Sequence, residues 1–581
     1  MTAFADDPQP VSRRRFLRAA LGASSLVLLA ACGPAAPTVA PTQPAKPAGA
    51  PPTSVAPTTV PASTGSGVAA GSKQLVMSSS TEPFSMNPFS SAVSQTIYYG
   101  QFVFDGLTRP DDQLRPTPSL AESWTIDPDG LGYTFKLRRG VKFHDGSELV
   151  AADVKKSWEM IAHPDNKTGA QLYGFFSRVA GADAYNKGEA KEIAGVTTPD
   201  DYTVRVKMAS VYGPFLALSA FQPILPRSAY DGVAPAEFDK HPTARQPVGT
   251  GPFKWVEWKN QDFIALEAHK EYWGGAPKLD RIVIKTVPDA TTIPSLLRSN
   301  TIQLAGIYAG VSATDYDEFS KDPNFTLSEF PGTNWYIEFR YDDPLFSDVN
   351  VRRALIHAVD REAIVKDVLL GHGQVNDAPI IPASWAHVQP KTRYEYDTAK
   401  AKQLLSAAGW TPGPDGVLAK NGEPFKFELT TFMLPSTYPE IVQQMWKQVG
   451  VDATINRMDF GAFWGPQYLA RKLRVAGLHV LTGIYTDPEY PLGGYFFSRL
   501  NRNGYNNPKT DELYFATQSS LDETTRKQRY ADYVEQLSQD APHMWVASPN
   551  EIWARSTRLK LPNTRLGFLL LTNVKDWEFT A

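Results

Sequence analysis

Cysteine occurs once in the chain of 581 residues, as Cys32. One thiol cannot close an internal disulfide, build a cysteine-rich zinc site or serve as a redox pair. A charge excess is missing too: 58 lysines and arginines face 61 aspartates and glutamates, a net −3. A sequence-independent grip on nucleic acid needs a clear positive excess, so nucleic acid is not expected as a partner. The chain also lacks a Gly-x-Ser-x-Gly elbow, a His-Glu-x-x-His helix and a Gly-x-x-x-x-Gly-Lys-Ser/Thr phosphate loop. Its nine histidines are scattered without metal-ligand spacing. No catalytic residue, metal site or cofactor is therefore expected. What remains is 42% hydrophobic and 20% charged, the balance of a globular protein. At ~100–200 residues per domain, the length accommodates about three or four units.

The first 72 residues differ from the rest. Arg13, Arg14, Arg15, Arg18 and Lys46 against Asp6 and Asp7 give +3, which leaves −6 on residues 73–581. Ser12-Arg13-Arg14-Arg15-Phe16-Leu17 resembles the twin-arginine export motif, and an apolar run over 19–31 follows. As a helix that run rises about 20 Å, short of a bilayer core of roughly 30 Å, so it reads as a signal-peptide core rather than an anchor. It ends in Leu29-Ala30-Ala31-Cys32-Gly33, which is similar to a bacterial lipobox. In signals of that kind the cysteine is acylated and becomes the first mature residue. Residues 1–32 are thus expected to be a twin-arginine-like lipoprotein signal peptide with Cys32 as the lipid attachment point. Residues 33–72 carry nine prolines, one charge and no aromatic residue. They cannot bury apolar surface and are expected to form a disordered tether reaching about 100 Å when extended.

In the body, strand and helix signals alternate. Tyr133-Thr134-Phe135-Lys136-Leu137-Arg138 alternates apolar and polar residues after the turn signal Asp127-Pro128-Asp129-Gly130, which predicts a hairpin. Residues 349–370 have apolar residues at helical spacing, with Asp360 as an internal N-cap and Gly371 as a stop, which predicts two short helices. A single helix is expected over 397–409. Residues 425–429, 438–449, 452–455, 461–473 and 477–481 read strand, helix, strand, helix, strand, an α/β layer.

Several blocks then carry a resemblance. They are Leu120-Ala121-Glu122-Ser123-Trp124, the run from Tyr133 through Phe143-His144-Asp145-Gly146, and Ala151-Ala152-Asp153-Val154. Val248-Gly249-Thr250-Gly251-Pro252-Phe253, Phe346-Ser347-Asp348-Val349-Asn350-Val351-Arg352-Arg353-Ala354-Leu355 and Ala358-Val359-Asp360-Arg361 follow in order. Together they resemble the signature blocks of ABC-transporter extracytoplasmic solute-binding proteins of family 5, the peptide/nickel/opine-binding class. The resemblance covers nearly the whole body. It implies an α/β, bilobal, periplasmic-binding-protein-like fold of class II (Venus flytrap) type with an extra inserted domain. Lobe I would combine 73–116, 245–333 and 543–581, the insert would be 117–244, and lobe II 334–542. The crossing strands would lie near 330–339 and 542–553. Within these blocks His144-Asp145 admits a catalytic pair or a strand ending in a turn, and the resemblance favours the turn. Arg352 and Arg353 admit an anion grip or a solvated or lobe-surface salt-bridge role, and the latter is favoured.

A binding cleft of this kind is concave and aromatic-lined. Trp335 and Tyr336 lie on the first crossing; as neighbours on a strand they point to opposite faces, so one is expected to face the cleft. Trp385, Trp464 and Trp545 are further candidates, although each also fits a core position. Glu82 and Phe84, early in the body, complete the set with the segment Ile484-Tyr485-Thr486-Asp487-Pro488 and Tyr490. The resemblance implies an aspartate where Ile484 stands, paired with the free amine of a peptide ligand. Isoleucine cannot pair with an ammonium, and an unpaired one in a dry cleft is costly. The loop 430–439 likewise has no arginine for a ligand carboxylate. Asp487 either hydrogen-bonds the ligand or caps a turn, while Tyr485 and Tyr490 add flat faces. A longer or capped peptide and an oligosaccharide are the leading ligand classes, ahead of a free dipeptide and a metal chelate.

The resemblance implies a monomeric, lipid-anchored receptor outside the cell membrane, periplasmic where an outer membrane exists. It would capture a peptide-like or oligosaccharide-like solute and deliver it to ABC permease subunits served by separate ATPase chains. The alternative is an exported enzyme or ligand sensor on the same bilobal scaffold.

Overall fold

The computed structural model describes residues 73–87, 94–166, 175–308, 310–432, 437–480, 486–489, 492 and 503–580. Cys32 and the expected leader and tether lie outside the described residues, as do Ile484, Tyr485 and Tyr490.

One strand organises the body. His543–Ser556 runs for fourteen residues, and its two halves pair with different partners. Its first half lies antiparallel to Asn334–Phe339, and its second half to Leu304–Ala305 and Phe325–Pro331. Around it the largest sheet holds twelve strands among the described residues. On one side follow Asn334–Phe339, Val475–Val480, Lys426–Phe432 and Asp452–Met458; on the other, Leu304–Ala305, Gln74–Ser79, Arg281–Thr286, Phe263–Ala268 and Phe253–Lys259. The two halves of the long strand feed separate cores. Met544, Val546 and Ala547 pack with Tyr336, Ile337 and Trp446, whereas Trp553 packs with Phe330 and Phe568.

The region expected to cross near 330–339 is two strands rather than one, Phe325–Pro331 and Asn334–Phe339. Pro331 has no N–H to donate to a ladder. Gly332 follows, where a Cβ would come 2.8 Å from Glu551 Oε1 and push that carboxylate aside.

The hairpin forms as the sequence implies. Ala121–Ile126 and Gly132–Leu137 pair antiparallel, with Gly130 at φ 71° and its N–H donating to Asp127 O at 2.8 Å. With Thr203–Lys207 and Val196–Asp200 they make a four-stranded sheet. The block containing His144 then docks on the glycine-rich block near 250. The His144 N–H donates to Gly249 O at 2.9 Å and its Nε2 lies 2.9 Å from Gly251 O. Burial pulls the His144 pKa down to about 3, so the ring is neutral and ties two loops together. Asp145 instead accepts from the Ser147 N–H at 2.9 Å, closing the turn.

Two short helices, Val349–His357 and Arg361–Asp367, occupy the predicted 349–370 region, and Asp360 accepts from the Ala363 N–H at 2.9 Å as the second N-cap. Thr398–Ala407 begins at the cap Asp397 and stops before Gly409 at φ 88°. Residues 461–473 depart from expectation. The helix is one turn, Phe460–Phe463, which widens into a π-turn over Trp464–Leu469. Gly465 and Pro466 explain this, since proline lacks the N–H for the α ladder and its ring collides with the preceding turn.

Arg352 is fully buried and pairs with no carboxylate among the described residues. It donates to the carbonyls of Phe346 (2.6 Å), Ser347 (2.9 Å), Asp540 (2.7 Å) and Ala541 (3.1 Å). Two of these carbonyls close the C-terminal end of the helix Glu523–Asp540, where a cation offsets the helix dipole. Arg352 therefore locks that helix to the loop before Val349. The salt-bridge reading is replaced by a backbone clamp.

Candidate functional site

A polar network forms around the short segment 486–489, just after the strand end singled out in the sequence. Asp487 is buried at 1% exposure and is gripped bidentately by Arg526, Nη1 to Oδ2 at 2.7 Å and Nη2 to Oδ1 at 2.9 Å. Tyr530 donates its hydroxyl to the same Oδ1 at 3.1 Å, and the Glu489 N–H also donates there at 3.1 Å. Arg526 and Tyr530 are four residues apart on the helix Glu523–Asp540, so one helix face presents both to Asp487. Burial pulls the Arg526 pKa down, but Asp487 and Tyr530 outweigh that and hold it above its ordinary value.

Glu489 extends the network to a different part of the chain. Tyr514 donates to its Oε1 at 2.7 Å and Tyr212 to its Oε2 at 3.0 Å. Burial pushes the Glu489 carboxyl above the usual carboxylate range, and the nearby Asp487 charge adds to this, against the two tyrosine hydroxyls. Further ties join the 178–217 region to the same place: Thr486 donates to Ala217 O (3.1 Å), the Gly213 N–H to Gln518 O (2.7 Å), and Arg178 to Gln518 Oε1 (2.9 Å).

Trp385 caps this network. Its Nε1–H donates to Thr486 O at 3.1 Å, the Arg526 guanidinium lies 5.1 Å from its ring, and Tyr530 meets it edge-on at 5.9 Å. Of the sequence candidates, Trp385 and Asp487 are thus brought together.

Tyr336 and Trp545 form a second group. They are cross-strand partners with ring centroids 5.0 Å apart, and His543 stacks on Trp545 at 5.5 Å. His543 in turn meets Glu338, which accepts from the hydroxyl of Tyr468, and Trp464 stacks on Tyr468 at 5.1 Å. Trp335 stands apart, stacked on Tyr438 at 5.0 Å. Glu82 accepts from Trp258 Nε1 (2.9 Å) and the Gln261 N–H (3.1 Å), and Phe84 is exposed. Tyr212, Glu489, Tyr514, Arg526 and Tyr530 are network members that sequence reasoning missed. None sits in a motif, and Asp487 and Arg526 are 39 positions apart. Among the described residues no cluster of three or more His, Cys, Asp or Glu is placed to hold a metal ion.

Residues 115–503 match the family described as bacterial extracellular solute-binding proteins, family 5. The chain belongs to that family. Among family relatives, the oligopeptide-binding protein AppA of Bacillus subtilis (strain 168) is 31% identical over 508 residues, 84% of this chain and 88% of AppA. The solved structure of AppA in complex with a nonapeptide matches with a TM-score of 0.76 at 28% identity, covering 87% of this chain and 99% of AppA. NikZ from Campylobacter jejuni in complex with Ni(L-His) matches equally well, with TM-score 0.76 at 26% identity over 87% of this chain and 99% of NikZ. The fold of the family is bilobal and mixed α/β, and the strands and helices described here are likewise mixed α/β.

Proposed function

We propose that the protein is a lipid-anchored receptor of an ABC importer, which captures a peptide-like solute between two lobes and hands it to a membrane permease. Lobe I takes 73–116, 245–333 and 543–581, with 117–244 inserted, and lobe II takes 334–542. Tyr212 and Glu489 then belong to opposite lobes, and the hydrogen bond between them is a contact of the closed form. That bridge is the observation on which the reading rests. A ligand shifts a hinge only by binding one state better than the other, so contacts made on closure set how much ligand energy closure needs.

A longer or capped peptide is the preferred ligand. AppA, a relative at 31% identity, is an oligopeptide-binding protein, and Ile484 offers no carboxylate to a free amine. Stacking on the aromatic groups leaves an oligosaccharide as the second chemistry to test. Mass spectrometry of solute carried through native purification identifies the class directly. Adding that solute is expected to compact the particle in small-angle scattering; neither compaction nor a thermal shift with any peptide or oligosaccharide would overturn the receptor reading, and turnover of the bound solute would assign an enzyme.

Tyr212→Phe is expected to weaken solute affinity about tenfold by removing the hydrogen bond to Glu489 that only the closed form makes, while the urea midpoint of the solute-free body changes little. Unchanged affinity would show that the Tyr212 bridge has no part in closure. Cys32→Ser is expected to move the protein from the membrane fraction to the soluble extracytoplasmic fraction, as shown by fractionation.

A further inference from the structure

From Trp553 to Lys575 the sequence has five cations, Arg555, Arg558, Lys560, Arg565 and Lys575, and no acid, although the body as a whole carries −6. Lys575 pairs with Asp576 at 2.7 Å, whereas none of the other four makes an ion pair among the described residues. Beside this stretch lies a cavity of about 410 Å³ lined by Ser328, Phe330, Arg555, Leu561, Asn563 and Thr564. Arg555 is its half-buried cation. Its Nε donates to Leu559 O at 3.2 Å and Nη1 to Ser328 Oγ at 2.8 Å, which fixes the guanidinium plane. The second terminal nitrogen, Nη2, has no partner among the described residues. Both bonded acceptors are neutral, so the charge is uncompensated and burial pulls the Arg555 pKa below its ordinary value.

The cavity also touches Glu329, the one acid there among the described residues, but that carboxylate is engaged elsewhere. It accepts from Asn550 Nδ2 at 2.9 Å and faces His372 Nδ1 at 3.1 Å. Along a strand, alternate residues point to opposite faces, so Ser328 and Phe330 line the cavity while the Glu329 side chain turns away. Phe330, Leu561 and Leu570 supply an apolar wall, and Asn563 and Thr564 supply polar groups at the rim. No lining residue belongs to the network around Asp487.

We propose that this cavity is a second ligand site, which takes a small organic anion with its carboxylate or phosphate on Arg555 and an apolar body against Phe330 and Leu561. Arg suits the task because its planar fork matches such anions and its charge persists at any physiological pH. The site does not depend on which solute the lobes enclose.

Calorimetric titration of the mature chain with phenyl phosphate, benzoate and inorganic phosphate tests it, with benzamide as the neutral control. Phenyl phosphate and benzoate are expected to bind more tightly than inorganic phosphate, and benzamide not at all. Arg555→Gln is expected to weaken phenyl phosphate about tenfold or more, the loss typical of a charge-assisted hydrogen bond. Thr564→Trp, which fills the cavity from its rim and leaves Arg555 in place, is expected to weaken it as well, and thermal unfolding of both variants shows that they are folded. The proposal is overturned if no anion binds at about 10 mM. It is also overturned if benzamide binds as well as benzoate, or if both variants bind phenyl phosphate like the parent. Loss of binding to vesicles of anionic lipid on Arg555→Gln, without phenyl phosphate binding by the parent, would assign the cationic stretch to a membrane surface and overturn the small-molecule site.

Discussion

Arg526→Met is expected to destabilise the folded body by about 3–5 kcal/mol, the cost of leaving a buried charge without its partner. Asp487 is 1% exposed and receives two of its hydrogen bonds from Arg526, at 2.7 and 2.9 Å. Methionine fills much of the volume but donates nothing. The Tyr530 hydroxyl and the Glu489 N–H remain, and two neutral donors do not offset a desolvated carboxylate. Asp487→Asn together with Arg526→Met removes both charges, so the double variant is expected to be more stable than Arg526→Met alone. That ordering separates loss of an ion pair from loss of packing. Urea denaturation of the four proteins in the cycle measures it. A loss below about 1 kcal/mol for Arg526→Met would place the pair among those that contribute little. Solute affinity is expected to fall in parallel, because Thr486, next to Asp487, carries the carbonyl that holds Trp385.

The parts of the fold that were legible in the sequence are those with local causes. Asp360 and Asp397 cap helices because their carboxylates reach N–H groups three residues on, and Gly130 closes a hairpin because it adopts φ 71°. These interactions are decided within a few residues, so the pattern carries them. The π-turn at Trp464–Leu469 was hidden because apolar spacing suggested a continuous helix, while Gly465 and Pro466 set the backbone. Arg352 was misjudged for a related reason. A charged residue at a helix start reads as surface, yet four carbonyls converge on it from segments far apart in sequence.

The site was legible only in part. Asp487 and Trp385 stood out as residue types, but what joins them is Arg526, on a helix whose sequence is mostly polar. A cation on such a helix is usually solvated, and nothing local marks the one that turns inward. Tyr212 is farther still, 277 positions from Glu489, and its role depends on how two regions of the chain meet. Composition and spacing describe one element at a time, and a contact between distant regions of the chain belongs to none of them.

Glu551→Gln is expected to stabilise the body by about 1–2 kcal/mol at pH 8 and to leave it unchanged near pH 4.5, an effect that follows from the position of this carboxylate on the long strand. Burial pushes the Glu551 carboxyl from 4.5 up to about 7, and among the described residues the donor that opposes the shift is Trp553 Nε1 at 3.4 Å. The folded state therefore holds the proton to higher pH than the unfolded chain does. Below pH 4.5 the group is protonated in both states and costs nothing. As pH rises from 4.5 through 7 the unfolded chain releases its proton first, and folding loses stability across that window. Each pKa unit is about 1.4 kcal/mol, so the full shift sets a ceiling of roughly 3 kcal/mol, which the remaining accessible surface of Glu551 lowers to the figure given. Glutamine keeps the shape beside Gly332 and never ionises, so its advantage should appear only on the alkaline side. Urea midpoints of the parent and Glu551→Gln at pH 4.5, 6 and 8 test the sign as well as the size. An advantage that is the same at all three would mean that packing, rather than the buried charge, separates the two proteins. An advantage that grows with pH would make Glu551 a destabilising carboxylate that the fold carries at the junction of its two cores.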